Sequence, residues 1–326
     1  MSALKKFCLG AVILPKGLLL AADVGTWDLL TDFVYMQRYH VQDQTLVIDS
    51  SQPVCSPSGC APAKVLDTQD LDNHFGFEPG VRLSLSYVPD RKSLYEASFL
   101  YLWQWNATST RQGDGTLSFP FQDPSFVSGF SQADSMTASY HSRFYTAELN
   151  YFGTLSKSRR SFFSLLGLCG IRFIEVAEKF SLESTKANEQ SVYRVSTHND
   201  LIGVQTGFLF SMNPYLGLHW DLDVKAGVAL NRIGSKVFLG GDQEESATRN
   251  FSRQGGRSAL FSEVAAGVGY RVASWLNLHL GYEMIYVNSL GLAPDQLRTS
   301  STLSSTLSDD DYIIVNGLYA GCLFSF

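Results

Sequence analysis

No stretch of this sequence reaches eighteen consecutive apolar residues, and the longest candidate, residues 162–173, carries Arg172. A membrane-spanning helix needs about twenty such residues, so a polytopic helical protein is excluded. The same absence leaves a β-barrel open, because its strands need only about nine to eleven alternating residues. Charge is also scarce, at 17% of residues, and its balance is −6. An acidic chain offers no footprint for nucleic acid. Gly-rich phosphate loops, paired Cys/His zinc spacing and a serine-nucleophile elbow are all missing, so neither an organic cofactor nor a metal is expected. There is no repeat of fixed period, no helical domain and no internal domain boundary.

What is present is a period of two. Counting back from Phe326, one face of residues 311–326 collects Phe324, Cys322, Ala320, Leu318, Ile314 and Tyr312. That alternation means a strand. A bare apolar face at a free carboxylate is an aggregation hazard in water, and it makes sense where the strand closes a barrel facing lipid. Nine further runs alternate in the same way, at 27–40, 75–87, 94–106, 143–152, 162–180, 191–212, 216–231, 258–270 and 276–286. Tyr101, Trp103 and Trp105, near one end of the third, suit an aromatic girdle. Long connections (41–74, 107–142, 232–257, 287–310) alternate with short ones, as outer loops alternate with periplasmic turns. The expected fold class is therefore all-β: a transmembrane antiparallel up-and-down β-barrel of about ten strands, with eight or twelve as alternatives.

Residues 1–22 read as a cleaved signal peptide, with a basic Lys5-Lys6 start and Ala21-Ala22 before Asp23. Residues 23–326 then form one barrel domain in a bacterial outer membrane. Removing the leader takes away Lys5, Lys6 and Lys16, and moves the net charge from −6 to −9. Cys55 and Cys60, in a Pro/Ser/Gly-rich loop of an exported chain, are a candidate disulfide. Cys169 and Cys322 fall on strands as small apolar residues.

From the fifth strand onward the chain resembles the β-barrel porin family of planctomycetes. The resemblance rests on GIRFIEVAEKF (170–180), THNDLIGVQTG (197–207), KAGVALN (225–231) and the segment 267–297. Asn199, Gly203, Gln205, Gly207, Gly281-Tyr282 and residues 293–297 match the family pattern. The resemblance implies an outer-membrane barrel, with no catalytic residues to carry over.

The polar faces gather Glu78, Arg82, Glu96, Glu148, Arg172, Gln205, His219, Asp221, Asp223, Lys225, Glu263, Arg271, His279 and Glu283. These are the candidate lumen residues, and they line either a conduit for small solutes or ions or a salt-bridged plug. His219, Asp221 and Asp223, with His279 and Glu283, also suggest a hydrolase at a barrel rim; a polar lumen supplies such residues without catalysis, and no enzyme activity is expected. Asp309 to Asp311 and Asp242, Glu244 and Glu245 read as solvated acidic loops, lacking the spacing of a calcium site. Long loops also allow a surface adhesin. Phe324 and Phe326 resemble the terminal signal read by outer-membrane assembly machinery, which with membrane lipid completes the expected partners.

Overall fold

The computed structural model describes residues 24–39, 42–56, 59–90, 92–122, 127–157, 163–187, 189–215, 217–241, 247–299 and 307–326. The expected signal peptide and the acidic residues Asp242, Glu244 and Glu245 lie outside the described residues. Twelve strands form one antiparallel sheet. They are β1 (Thr26–Tyr39), β2 (Thr45–Ser56), β3 (Gly59–Asp67), β4 (Glu78–Asp90), β5 (Ser93–Ser118) and β6 (Ala133–Lys157), followed by β7 (Phe163–Lys186), β8 (Glu189–Tyr215), β9 (Leu218–Gly241), β10 (Ala247–Ala273), β11 (Leu276–Leu290) and β12 (Asp311–Ser325). Ten of them close a ring, β1-β4-β5-β6-β7-β8-β9-β10-β11-β12-β1; β2 and β3 form a hairpin that joins the sheet beside β5. The chain termini meet at the closing seam, where β12 pairs β1 and Trp27 and Phe326 exchange backbone hydrogen bonds of 2.9 and 3.0 Å. Phe324 stacks on Trp275.

The outward faces carry a belt of exposed apolar residues, among them Phe33, Leu83, Leu149, Ile171, Val204, Leu230, Leu280 and Leu318. In water such a continuous band would be untenable, and in lipid it is the required outer surface. The inward faces at the same height are charged. Two inward glycines serve a packing purpose, because a side chain at Gly267 or Gly281 would land on the Tyr319 ring that lies across them.

Above the belt the pattern inverts. On β7, Ile171 and Phe173 face out while Arg172 faces in; further along, Lys179 and Glu183 face out while Phe180 and Leu182 are buried inside. This is the ordinary rule for a sheet in water. It corrects the loop expectation: most of 107–142 and 232–257 is strand, and 41–74 contains the β2–β3 hairpin. The missed strands alternate apolar-in, so a search for apolar-out strands ends at the membrane edge. β5 to β10 are 24–27 residues long, whereas β1, β4, β11 and β12 are 13–15. The difference of about ten residues, roughly 30 Å along a strand, builds a tall wall on one side. The hairpin, a short helix α1 (Thr68–Asp72) and the segment 291–299 fill the space it encloses.

Trp105 departs from the girdle expectation. A register shift between Leu102 and Trp105 turns its ring inward, where it is fully buried and its Nε1 donates to the Met36 carbonyl at 3.2 Å.

Candidate functional site

The lumen is filled in three layers. Toward the periplasmic turns, Val88, Leu94, Phe152, Leu166, Leu168 and Leu209 form a small apolar cluster. At mid-membrane lies an ionic layer assembled from most of the candidate lumen residues. Lys225 Nζ sits 3.0 Å from Glu148 Oε2, 2.9 Å from Glu263 Oε1 and 3.6 Å from Asp223 Oδ2. Arg172 bridges the same two glutamates from β7, at 2.7 Å to Glu263 and 3.6 Å to Glu148. Gln205 Nε2 donates to Glu148 at 2.9 Å and to Asn150 Oδ1 at 2.6 Å, and Asn150 in turn donates to Glu148 and Glu96.

A second set spans β1, β4 and β11. Arg82 pairs with Glu283 and approaches Asp32 at 3.7 Å, and its guanidinium lies over the Tyr319 ring. His279 Nε2 is 2.5 Å from Asp32 Oδ1. Asp32 belongs to the polar face of the first strand, yet only closure of the ring brings it against His279, 247 residues away. Such mutual pairing is what buried charge requires, since an uncompensated ion at this depth is costly.

The remaining candidates lie outside these sets. Glu78 is half-buried at the outer end of β4. Arg271, on the inward face, lies below the ionic layer toward the periplasmic end of β10. His219 and Asp221 sit at the periplasmic end of β9, not at an outer rim, and His219 is 3% exposed. The Ser211 hydroxyl donates to Asp221 at 2.5 Å, and His219 Nε2 is 3.7 Å from the same carboxylate. Asp32, Asp221, Asp223, Glu263 and His279 line a cavity of about 60 Å³. That is room for a few waters and for nothing as large as a peptide or sugar. Cys55 and Cys60 are joined as a disulfide across the tip of the β2–β3 hairpin.

The third layer is the outer plug. Residues 289–298 leave β11 and fold back into the mouth of the barrel, where Leu290, Leu292, Ala293 and Leu297 are buried. The wall holds this segment by its backbone. Asn199 accepts from the Gly291 amide at 2.8 Å and donates to the Gly291 carbonyl at 3.0 Å; Asn231 donates to the Ser289 carbonyl at 2.8 Å. Glu178 accepts from the Ala293 amide at 2.8 Å and from Arg38 Nη2 at 2.6 Å. Arg38, fully buried, also reaches Tyr140 and Asp72 of α1. Four elements of the wall and head thus converge on one ion pair. Sequence reasoning missed Arg38 and Glu178 as partners, although Arg38 stood on a polar face. Nothing in either local pattern marks the other.

Asp311, read from sequence as part of a solvated acidic run, is instead 2% exposed and its carboxyl interacts with that of Asp295 in the plug. Burial first, then Asp311 and Glu178, push the Asp295 carboxyl up to about 9. Released into water it would titrate near 4. Between these values the plugged state holds a proton that the released state does not, so closure weakens as pH rises through this window, by about 1.4 kcal/mol per unit. We expect amide exchange of residues 290–297 to accelerate steadily from pH 5 to pH 9 after correction for intrinsic rates, and Asp295→Asn to abolish that trend. A corrected rate that is flat with pH in the wild type would contradict the assignment.

No protein-family model matches the chain, and no curated protein matches its sequence. Solved structures do resemble it. The outer membrane protease OmpT of Escherichia coli superposes with a TM-score of 0.51 at 10% identity, covering 92% of this chain and 97% of that one. The translocator domain of the autotransporter NalP from Neisseria meningitidis gives 0.34 at 9% identity over 94% and 91%, and a FadL homologue of Pseudomonas aeruginosa gives 0.30 at 9% over the same shares. At such identities the likeness speaks to fold and not to chemistry. The fold is that of an outer-membrane β-barrel.

Proposed function

We propose that this protein is a closed barrel of the bacterial outer membrane, inserted by the assembly machinery that reads its Phe324/Phe326 end, and that it works as an anchor for its outer β-rich head. The observation that carries the reading is the filling of the lumen: among the described residues a mid-membrane ionic layer lies beneath a hydrogen-bonded outer plug, and the cavity within that layer is about 60 Å³. Passage of a solute would require both layers to move. The segments in which the sequence resembles planctomycete porins are compatible with closure, because Asn199 and residues 293–297 belong to the plug and its clasp. What supports leaving hydrolysis out is the seclusion of His219 and the commitment of the Ser211 hydroxyl to Asp221 instead of a histidine. What supports a surface role is the projecting β2–β3 hairpin, stapled by its disulfide and exposing Val54. Binding residues are commonly carried on such projections above a rigid scaffold.

The test is conductance. Purified protein, shown to be folded by heat-modifiable gel migration, should give no current steps in a planar bilayer at neutral pH. Stable ohmic steps would overturn the closed-barrel reading in favour of a porin.

A further inference from the structure

The cavity within the ionic layer is lined unevenly. Asp32, Asp221, Asp223 and Glu263 bring carboxylates to its wall, against one permanent cation, Arg82. Lys225 and Arg172 reach Asp223 and Glu263 but divide their charge with Glu148, and Arg82 divides its own with Glu283. Six carboxylates thus stand against three permanent cations. Protonating both His279 beside Asp32 and His219 beside Asp221 still leaves an excess of negative charge. Uncovered charge at this depth is costly.

Asp32 shows what covers it. Its Oδ1 is engaged by His279, whereas its Oδ2, in a side chain 1% exposed, has no hydrogen-bond partner among the described residues. Arg82 Nη1 stands 3.7 Å from that oxygen. A proton on Oδ2 would need an acceptor and finds none. A cation needs only the lone pairs. The space of about 60 Å³ admits an ion with one or two waters. It does not suit a divalent ion, which draws six or more oxygens to about 2.0–2.6 Å. Among the described residues no three carboxylate or imidazole groups stand close enough to grip a metal directly.

We propose that this cavity holds one partly hydrated monovalent cation of sodium size, with Asp32 Oδ2 as its direct ligand. The cavity's other carboxylates act on the ion through water and through their field. Ala265 and Gly267, small residues on the inward face of β10, leave the space open. The ion completes the charge balance of a layer that has no passage to serve, and so the inference rests on the closed-lumen reading above.

The test uses the whole protein, refolded from urea into detergent micelles in sodium chloride or in choline chloride. Ionic strength is held constant, so that surface charges are screened equally. Urea unfolding then reads the ratio of unfolded to folded protein. An ion bound only by the folded state stabilises it by mass action. The wild-type ratio should fall about tenfold for each tenfold rise in sodium once the site is mostly filled. Choline, too large for the cavity, should give no such response. Asp32→Asn removes the ligand and Ala265→Val fills the space without removing charge; both should lose the sodium response. Glu175→Gln, which breaks the exposed pair with Arg143, should keep it. Wild type equally stable in both salts overturns the inference whatever the variants do, and so does a sodium response that survives Asp32→Asn. Current steps in a bilayer would overturn the closed-lumen reading, whereas a flat sodium response in folded, non-conducting protein overturns this inference alone.

Discussion

Lys225→Met destabilises the folded barrel by about 3–5 kcal/mol, the range for breaking one partner out of a buried ion pair. The ammonium is 2% exposed and touches Glu148, Glu263 and Asp223 at 3.6 Å or less. Methionine preserves the apolar stem and removes only the charge. Among the described residues Arg172 is then the cation left within ion-pair distance of Glu148 and Glu263, at 3.6 and 2.7 Å, and the neutral donors Gln205 and Asn150 do not replace the lost charge. Urea titration of the detergent-folded protein, read by tryptophan emission, measures the loss. Adding Glu263→Gln to Lys225→Met should recover a substantial part, since it removes one of the stranded charges; a double variant no more stable than the single would show that the cost is not electrostatic. A single-variant loss below 1 kcal/mol would remove Lys225 from the centre of the layer.

Glu178→Ala has a comparable cost and a different signature. It removes the fully buried carboxylate partner of Arg38, leaving Asp72 at 3.3 Å, unbonds the Ala293 amide and removes the Ser142 hydroxyl partner at 3.2 Å. We expect about 3–5 kcal/mol of lost stability, concentrated in the head. Amides of residues 289–298 and of α1 should exchange faster by orders of magnitude, while those of the mid-membrane strands keep their protection. Conductance should stay absent, because the ionic layer below does not depend on the plug. Replacing both partners, Arg38→Met with Glu178→Leu, should restore stability without restoring the hydrogen bond to Ala293, so the plug would still open more readily. If Glu178→Ala leaves plug exchange unchanged, the clasp is carried by Asn199 and Asn231 instead.

The belt strands were legible because lipid imposes a rule that each strand obeys alone. Leu218, Trp220, Leu222 and Val224 alternate with His219, Asp221, Asp223 and Lys225 within a single run, so both faces can be read without knowing a neighbour. Ten such runs became the ten strands of the ring. The head escaped the same reading because its strands follow the opposite rule. Met136, Ala138 and Tyr140 point inward and Ser135, Thr137 and Ser139 outward, and their apolar residues face a core instead of lipid. Trp105 escaped because a register shift reverses parity, which composition does not encode.

By itself the sequence determined the class of fold and the run of ten alternating segments that became the ring, since each follows from a period of two in a known solvent. Whether the inward charges line a passage or fill it was decided only by the tertiary structure. Arg38 and Glu178 are separated by 140 residues, Arg82 and Glu283 by 201, and Asp32 and His279 by 247. Ion pairing needs atoms within a few ångströms across the barrel, and no local pattern carries that distance; ring closure and the fold-back of residues 289–298 supply it.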